Sequence, residues 1–135
     1  MTTRGGTGVG AQVWIGRVIT GLVGLVFLAS SVMKLIGPEG MEEGLAHIGL
    51  PESLVVPIAI LELICVVLYL TPPTAVLGGI LLTGYAGGAI LTHLRVGDPF
   101  VIPAVLGLAA WLGLYLREER LRELLPLRRA GSRSG

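Results

Sequence analysis

The stretch RVITGLVGLVFLASSVMK, residues 17–34, decides the fold. Arg17 and Lys34 bracket an unbroken uncharged run from Val18 to Met33. A hydrocarbon core of ~30 Å needs about 20 helical residues. A helix from about Gln12 to Ile36 meets that length, and both cations can reach a headgroup layer along their apolar stems. Gly37-Pro38 stops it, because proline cannot continue a helix and glycine accepts the turn. A basic start, an apolar run and Ala29-Ser30-Ser31 also suit a cleaved signal peptide. Three similar apolar runs follow, so this one reads as a retained first helix.

Outward from that stretch the pattern repeats. Glu52 to Leu70 forms a second helix, with Ser53 able to cap its start and Pro57 near the first turns. Thr71-Pro72-Pro73 is too short for anything but an antiparallel return. A third helix covers about Thr74 to Leu94 and a fourth Phe100 to Leu116, separated by Gly97-Asp98-Pro99. Residues 38–51 place Met41, Leu45 and Ile48 at helical spacing against Glu39, Glu42 and Glu43. That describes a short helix lying on the membrane surface. The segment from Arg117 onward is expected to stay helical, with Leu121, Leu124 and Leu125 on one side, until Pro126. Residues 1–11, Thr/Gly-rich, are expected to be a disordered tail, and 129–135 a flexible basic tail. The expected domain is 12–128, an all-α membrane protein built as a four-helix transmembrane bundle.

Composition agrees. The 135 residues are 53% hydrophobic and 14% charged, with mean hydropathy +0.82, where a soluble domain carries roughly 25% charge. No solvent face is marked on any of the four segments, which disfavours a soluble helical protein. A net charge of +1 offers no basic surface for nucleic acid. Lysine and arginine set orientation. Arg4, Arg17, Arg117, Arg120, Arg122, Arg128, Arg129 and Arg133 flank the termini, whereas Lys34 and Arg95 lie at the other face. Both termini are therefore expected in the cytoplasm, with the protein in the plasma membrane. Trp14, Trp111, Tyr69 and Tyr115 near the cytoplasmic ends read as an aromatic belt.

Helices in lipid associate by close backbone approach. Gly16, Thr20 and Gly24 on the first helix, and Gly79, Thr83 and Gly87 on the third (with Gly84 and Gly88 beside them), are the expected packing positions, joined by Ala109 and Gly113. The same motifs could serve a homodimer seam.

Ionisable groups inside a membrane are costly and are candidate functional positions. Glu62 lies ten residues into the second helix, ~15 Å along its axis, near the midplane. Its partner is left open between Lys34 from one end and Arg17 from the other. Arg17, Gly21, Gly24, Ser31 and Lys34 are expected to face the interior. Thr83, Gly87, Ile90 and His93, with Arg95 nearby, are expected to line an outward-opening polar cleft with Glu62. A structural ion pair is the plain alternative for Glu62, an interfacial role for His93, and a hydroxyl bonded to its own helix for Ser31. Cys65 is the single cysteine, so a dithiol or thiolate cage is excluded. The two histidines and scattered acids have no metal-site spacing. No catalytic motif is present, and no stand-alone enzyme activity is expected.

Taken together, Gly16-Arg17, Phe27-Leu28-Ala29-Ser30-Ser31-Val32-Met33-Lys34-Leu35, Gly49-Leu50-Pro51, Ile60-Leu61-Glu62-Leu63, Leu82-Thr83-Gly84-Tyr85, Thr92-His93-Leu94-Arg95 and the Trp111 to Arg117 end resemble the DoxX-like family. The resemblance covers roughly residues 12–128. It implies a four-helix membrane bundle and association with membrane redox or oxidative-stress complexes. It also implies quinone as a possible cofactor and a soluble oxidoreductase as a possible partner. Lys34, Glu62 and His93 come with it as family-like polar positions without a catalytic role. A carrier or binding protein for a small hydrophobic or protonatable ligand, and a membrane chaperone or scaffold, stay open as alternatives.

Overall fold

A computed structural model of the chain describes residues 6–37, 39 and 41–124. Among these the protein is all-helical: α1 (Gly6–Ile36), α2 (Met41–His47), α3 (Glu52–Leu70), α4 (Ala75–Arg95), α5 (Val101–Arg117) and α6 (Glu119–Leu124). A 3₁₀ turn, Pro72–Thr74, joins α3 to α4. Three stretches are long and apolar enough to cross a membrane: Gly10–Ile36, Glu52–Leu70 and Pro72–Arg95. The fourth apolar helix, α5, has 17 residues, short of the ~20 that a full crossing takes.

Local chemistry sets the boundaries. Gly37, at φ 64°, closes α1 in the left-handed conformation that glycine takes most easily, and its N–H donates to Met33 O at 3.0 Å. Gly97, at φ 76°, does the same for α4, where Asp98 N–H reaches back to His93 O at 2.9 Å. The start of α3 differs from expectation. Pro51 occupies the N-cap and no side chain caps the helix; Ser53 falls inside the first turn, where its hydroxyl is past the capping position.

Two further boundaries moved. α1 begins at Gly6 rather than Gln12, so part of the expected tail is helical. Once the first turn exists, each added residue gains a hydrogen bond, and contact at Gly16 supplies the anchor. After α5 the helix does not run on. Glu118 is extended at φ −104°, ψ 104°, and α6 then turns Leu121 into the core while Leu124 stays 82% exposed. Leu125, Pro126 and residues 129–135 lie outside the described residues, as do 1–5.

The four longer helices pack in a ring. α1 lies against α3 and α5, and α4 lies against α3 and α5. Across the ring, α1 and α4 meet through side chains, Phe27 standing edge-on to Tyr85 with centroids 6.1 Å apart. The ring holds Val23, Phe27, Cys65, Val66, Tyr69, Leu82, Ala110 and Leu114, while Leu22, Leu25, Ile60, Leu61, Ile64, Val67 and Leu108 are exposed. So large an apolar exterior suits lipid as its solvent.

Glycines make the close crossings, but not all the expected ones. A Cβ on Gly16 would stand 2.9 Å from Arg117 N and Gly113 O, and one on Gly24 would stand 2.6 Å from Leu70. Thr20, buried, sits against Gly113. Gly79 meets Leu114, and Gly78, which the sequence did not single out, lies directly on the backbone of Tyr69. By contrast Gly21, Gly84, Gly87 and Gly88 face open space. Thr83 bonds to its own helix at Gly79 O, 2.7 Å. The packed face of α4 is therefore Ala75, Gly78, Gly79, Leu82 and Ala86, a quarter-turn from the expected stripe.

The contrast is testable. Gly78→Ala should lower the unfolding midpoint in mild detergent, with a cost of about 1–3 kcal/mol typical of overpacking. Gly87→Ala should leave the midpoint unchanged or raise it slightly, since alanine is the better helix former. Equal effects at both positions would contradict the packing described.

Candidate functional site

The site grows from one ion pair. Lys34 lies two residues before the end of α1, and Glu62 lies at mid-α3. Lys34 Nζ donates to Glu62 Oε2 at 2.7 Å and to Ser30 Oγ at 2.6 Å. Glu62 is 1% exposed and Lys34 18%, so the acid is sealed inside while the base leads toward the surface. Tyr85, from mid-α4, stands beside the pair, its ring centroid 6.0 Å from Lys34 Nζ. Cys65, buried one turn beyond Glu62 on α3, borders the same cluster.

Each partner has a reason to be there. Ser30 and Lys34 are four apart and so share a helix face. The buried line on α1 is Gly16, Thr20, Val23 with Gly24, Phe27 and Ser31, stepping by three and four toward Lys34. Tyr85 and Glu62 each fall near the middle of antiparallel neighbours joined by a short turn, which sets them at one level.

A lone carboxylate in hydrocarbon is costly, and pairing offsets that cost only with good geometry and added hydrogen bonds. Here the ammonium bridges a carboxylate and a hydroxyl beside an aromatic face, which spreads its charge over three groups. Chemically the cluster offers an ammonium, a carboxylate and a phenol converging at one place.

The other expected site residues lie elsewhere. Arg17 is exposed on α1, seventeen residues from Lys34, or ~25 Å along the axis; it does not pair with Glu62. Ser31 is fully buried but spends its hydroxyl on Leu28 O at 2.9 Å. His93 turns its ring onto Ala89 O at 2.7 Å. Arg95 donates to Ile48 O at 2.7 Å. His93 and Arg95 thus bond to backbone carbonyls and not to Glu62. Among the described residues no group of three His, Cys, Asp or Glu is placed to hold a metal ion.

A second polar knot sits at the opposite end. The Tyr69 hydroxyl donates to Ala110 O at 2.9 Å and lies 3.5 Å from Thr20 Oγ1. Arg117 donates to Tyr69 O at 3.1 Å, its guanidinium 5.7 Å from the Tyr69 ring. Tyr69 is thus a fully buried tie between α1, α3 and α5 rather than part of an aromatic belt, whereas Trp14 is 67% exposed. Hydropathy alone could not separate the two, because a tyrosine one residue from a helix end suits either place.

Residues 18–113 match the model of the DoxX-like family. No curated protein and no solved structure gives a significant match.

The asymmetry of the pair gives a prediction. Lys34→Met strands a sealed carboxylate and should destabilise the protein in lipid or detergent by about 3–5 kcal/mol, the cost of breaking a buried pair. Glu62→Gln strands a lysine that can swing outward, and should cost less. The double variant Lys34→Met/Glu62→Gln should recover most of the loss. Additive single effects in that cycle, followed by thermal unfolding, would refute the coupling.

Proposed function

The chain belongs to the DoxX-like family, and from that premise we propose that it is an accessory subunit of a quinone-linked or oxidative-stress redox complex in the plasma membrane. In this proposal the domain is 12–128, all four longer helices cross the bilayer, and both termini are cytoplasmic. The lysine and arginine bias, eight residues flanking the termini against two at the other face, supports that orientation. α5 crosses with help from neighbours, the local bilayer thinning to meet its shorter length.

The observation that carries the proposal is the Lys34–Glu62 pair with Tyr85 beside it. A quinone head has two carbonyl oxygens that accept hydrogen bonds, and its reduced form has hydroxyls that donate. Lys34 and Tyr85 supply donors and Glu62 an acceptor, so the residue chemistry fits such a head. When bound, a quinone would supply two-electron redox chemistry at the site. The chain's own residues orient the head, exclude water and hold a proton at Glu62 or Lys34. The open glycine face of α4, Gly84, Gly87 and Gly88, favours close approach by a helix of a partner or of a second copy. The same face supports a scaffold as the second reading, and the sealed carboxylate supports a carrier for a protonatable ligand.

Purification in mild detergent followed by quinone extraction and mass spectrometry tests the proposal. Bound quinone and a co-purifying oxidoreductase are expected. Glu62→Gln and Lys34→Met should each weaken binding of a soluble quinone analogue about tenfold or more, the scale of one charge-assisted hydrogen bond. A lone, quinone-free protein, with membrane redox activity unchanged on deletion, would remove the proposal.

A further inference from the structure

We propose that residues 41–49 form a lid over the Lys34 end of the molecule, held shut by Arg95 and by the His47–Asp98 pair. The need for a cover comes from helix lengths. Gly24 of α1 faces Leu70 of α3 and Lys34 faces Glu62, so Ile36 comes level with about residue 60. α3 starts at Glu52 and thus overshoots α1 by about eight residues, ~12 Å. The ring is left short on one side, directly beyond Lys34, the exposed half of the pair.

The chain leaves α1, runs through α2, and is fastened to Arg95 at the end of α4, the helix diagonal to α1, and to Asp98 in the α4–α5 turn, a path that spans the opening. It returns to α3 at Glu52. Two contacts do the fastening. Arg95 Nη2 donates to Ile48 O at 2.7 Å, and Gly49, at φ 75°, admits the guanidinium where a Cβ would stand 2.5 Å from Nη2. His47 Nε2 lies 3.0 Å from the Asp98 carboxylate.

Little else holds the segment. α2 has no fully buried residue; Met41, Leu45 and Ile48 turn half-buried sides inward while Glu42, Glu43 and His47 are exposed. A helix of seven residues is not stable alone. Elements with few buried contacts open locally at low cost, so the two polar contacts decide whether this one is open or shut. Its role as an entry to a ligand site rests on the function proposed above; its existence as a lid does not.

The test uses the full chain in lipid nanodiscs, with Cys65→Ala as background and Ser30→Cys as reporter beside Lys34. A charged, lipid-excluded maleimide labels position 30, with Glu39→Cys as the rate standard. Arg95→Gln and Asp98→Asn should each speed labelling roughly fivefold, the factor for losing one exposed charge-assisted contact. Hydrogen exchange should rise at the amides of Ile48, Gly49 and Leu50, which close α2, and stay unchanged from Glu62 to Tyr69. Unchanged labelling overturns the lid, whether or not exchange rises. Faster labelling with raised exchange through α3 reports general loosening and also overturns it. If labelling behaves as expected while quinone analogues fail to bind, the ligand reading falls and the lid stands.

Discussion

A charge cannot be left alone in hydrocarbon, and the Lys34–Glu62 pair is where this molecule meets that constraint. Glu62 is sealed while surrounded by helices whose outer faces are leucine, isoleucine and valine. Its carboxylate keeps a favourable state only while α1 holds Lys34 against it. That requirement fixes the sliding register of α1 on α3. A shift of one turn, ~5.4 Å, would separate the charges. Polar groups thus specify the register in a setting where apolar contacts between helices and apolar contacts with lipid differ little.

Backbone proximity does the rest. Gly16 against the backbone of α5 and Gly78 against that of Tyr69 let helices approach where a Cβ would intrude, and Gly24 makes room for the Leu70 side chain. These crossings and the Tyr69–Ala110 bond tie the ring at the end away from Lys34. The molecule therefore has one end tied by backbone contact and a buried tyrosine, and one end closed by a charge pair and a loosely packed helix.

Helix positions were legible in the sequence because the signals are strong: α3 starts and stops where Pro51 and Thr71-Pro72 dictate. Family membership was legible for the same reason, through residues ordered along the helices. Glu62 stood out as the single acid within an apolar run. What stayed hidden was rotation about each helix axis. In a soluble protein polarity tells inside from outside, but here both surroundings are apolar. Gly78 and Gly87 look alike in sequence, yet one is pressed on a backbone and the other is open. Lys34 rather than Arg17, Tyr85 as a neighbour of the site, and Tyr69 as a core residue all follow from rotation and register. His93 and Arg95 bond to carbonyls, and nothing in their spacing foretold which.

The Lys34–Glu62 contact at 2.7 Å reads as an ionised carboxylate held by an ammonium away from water. Infrared spectra of the protein in lipid bilayers, with glutamate isotopically labelled and Glu62→Gln as the difference partner, measure this directly. An ionised carboxylate band unaltered by transfer to heavy water is expected, replaced by a protonated carboxyl band in Lys34→Met. A protonated carboxyl in the unaltered protein, or a carboxylate indifferent to loss of Lys34, would contradict it.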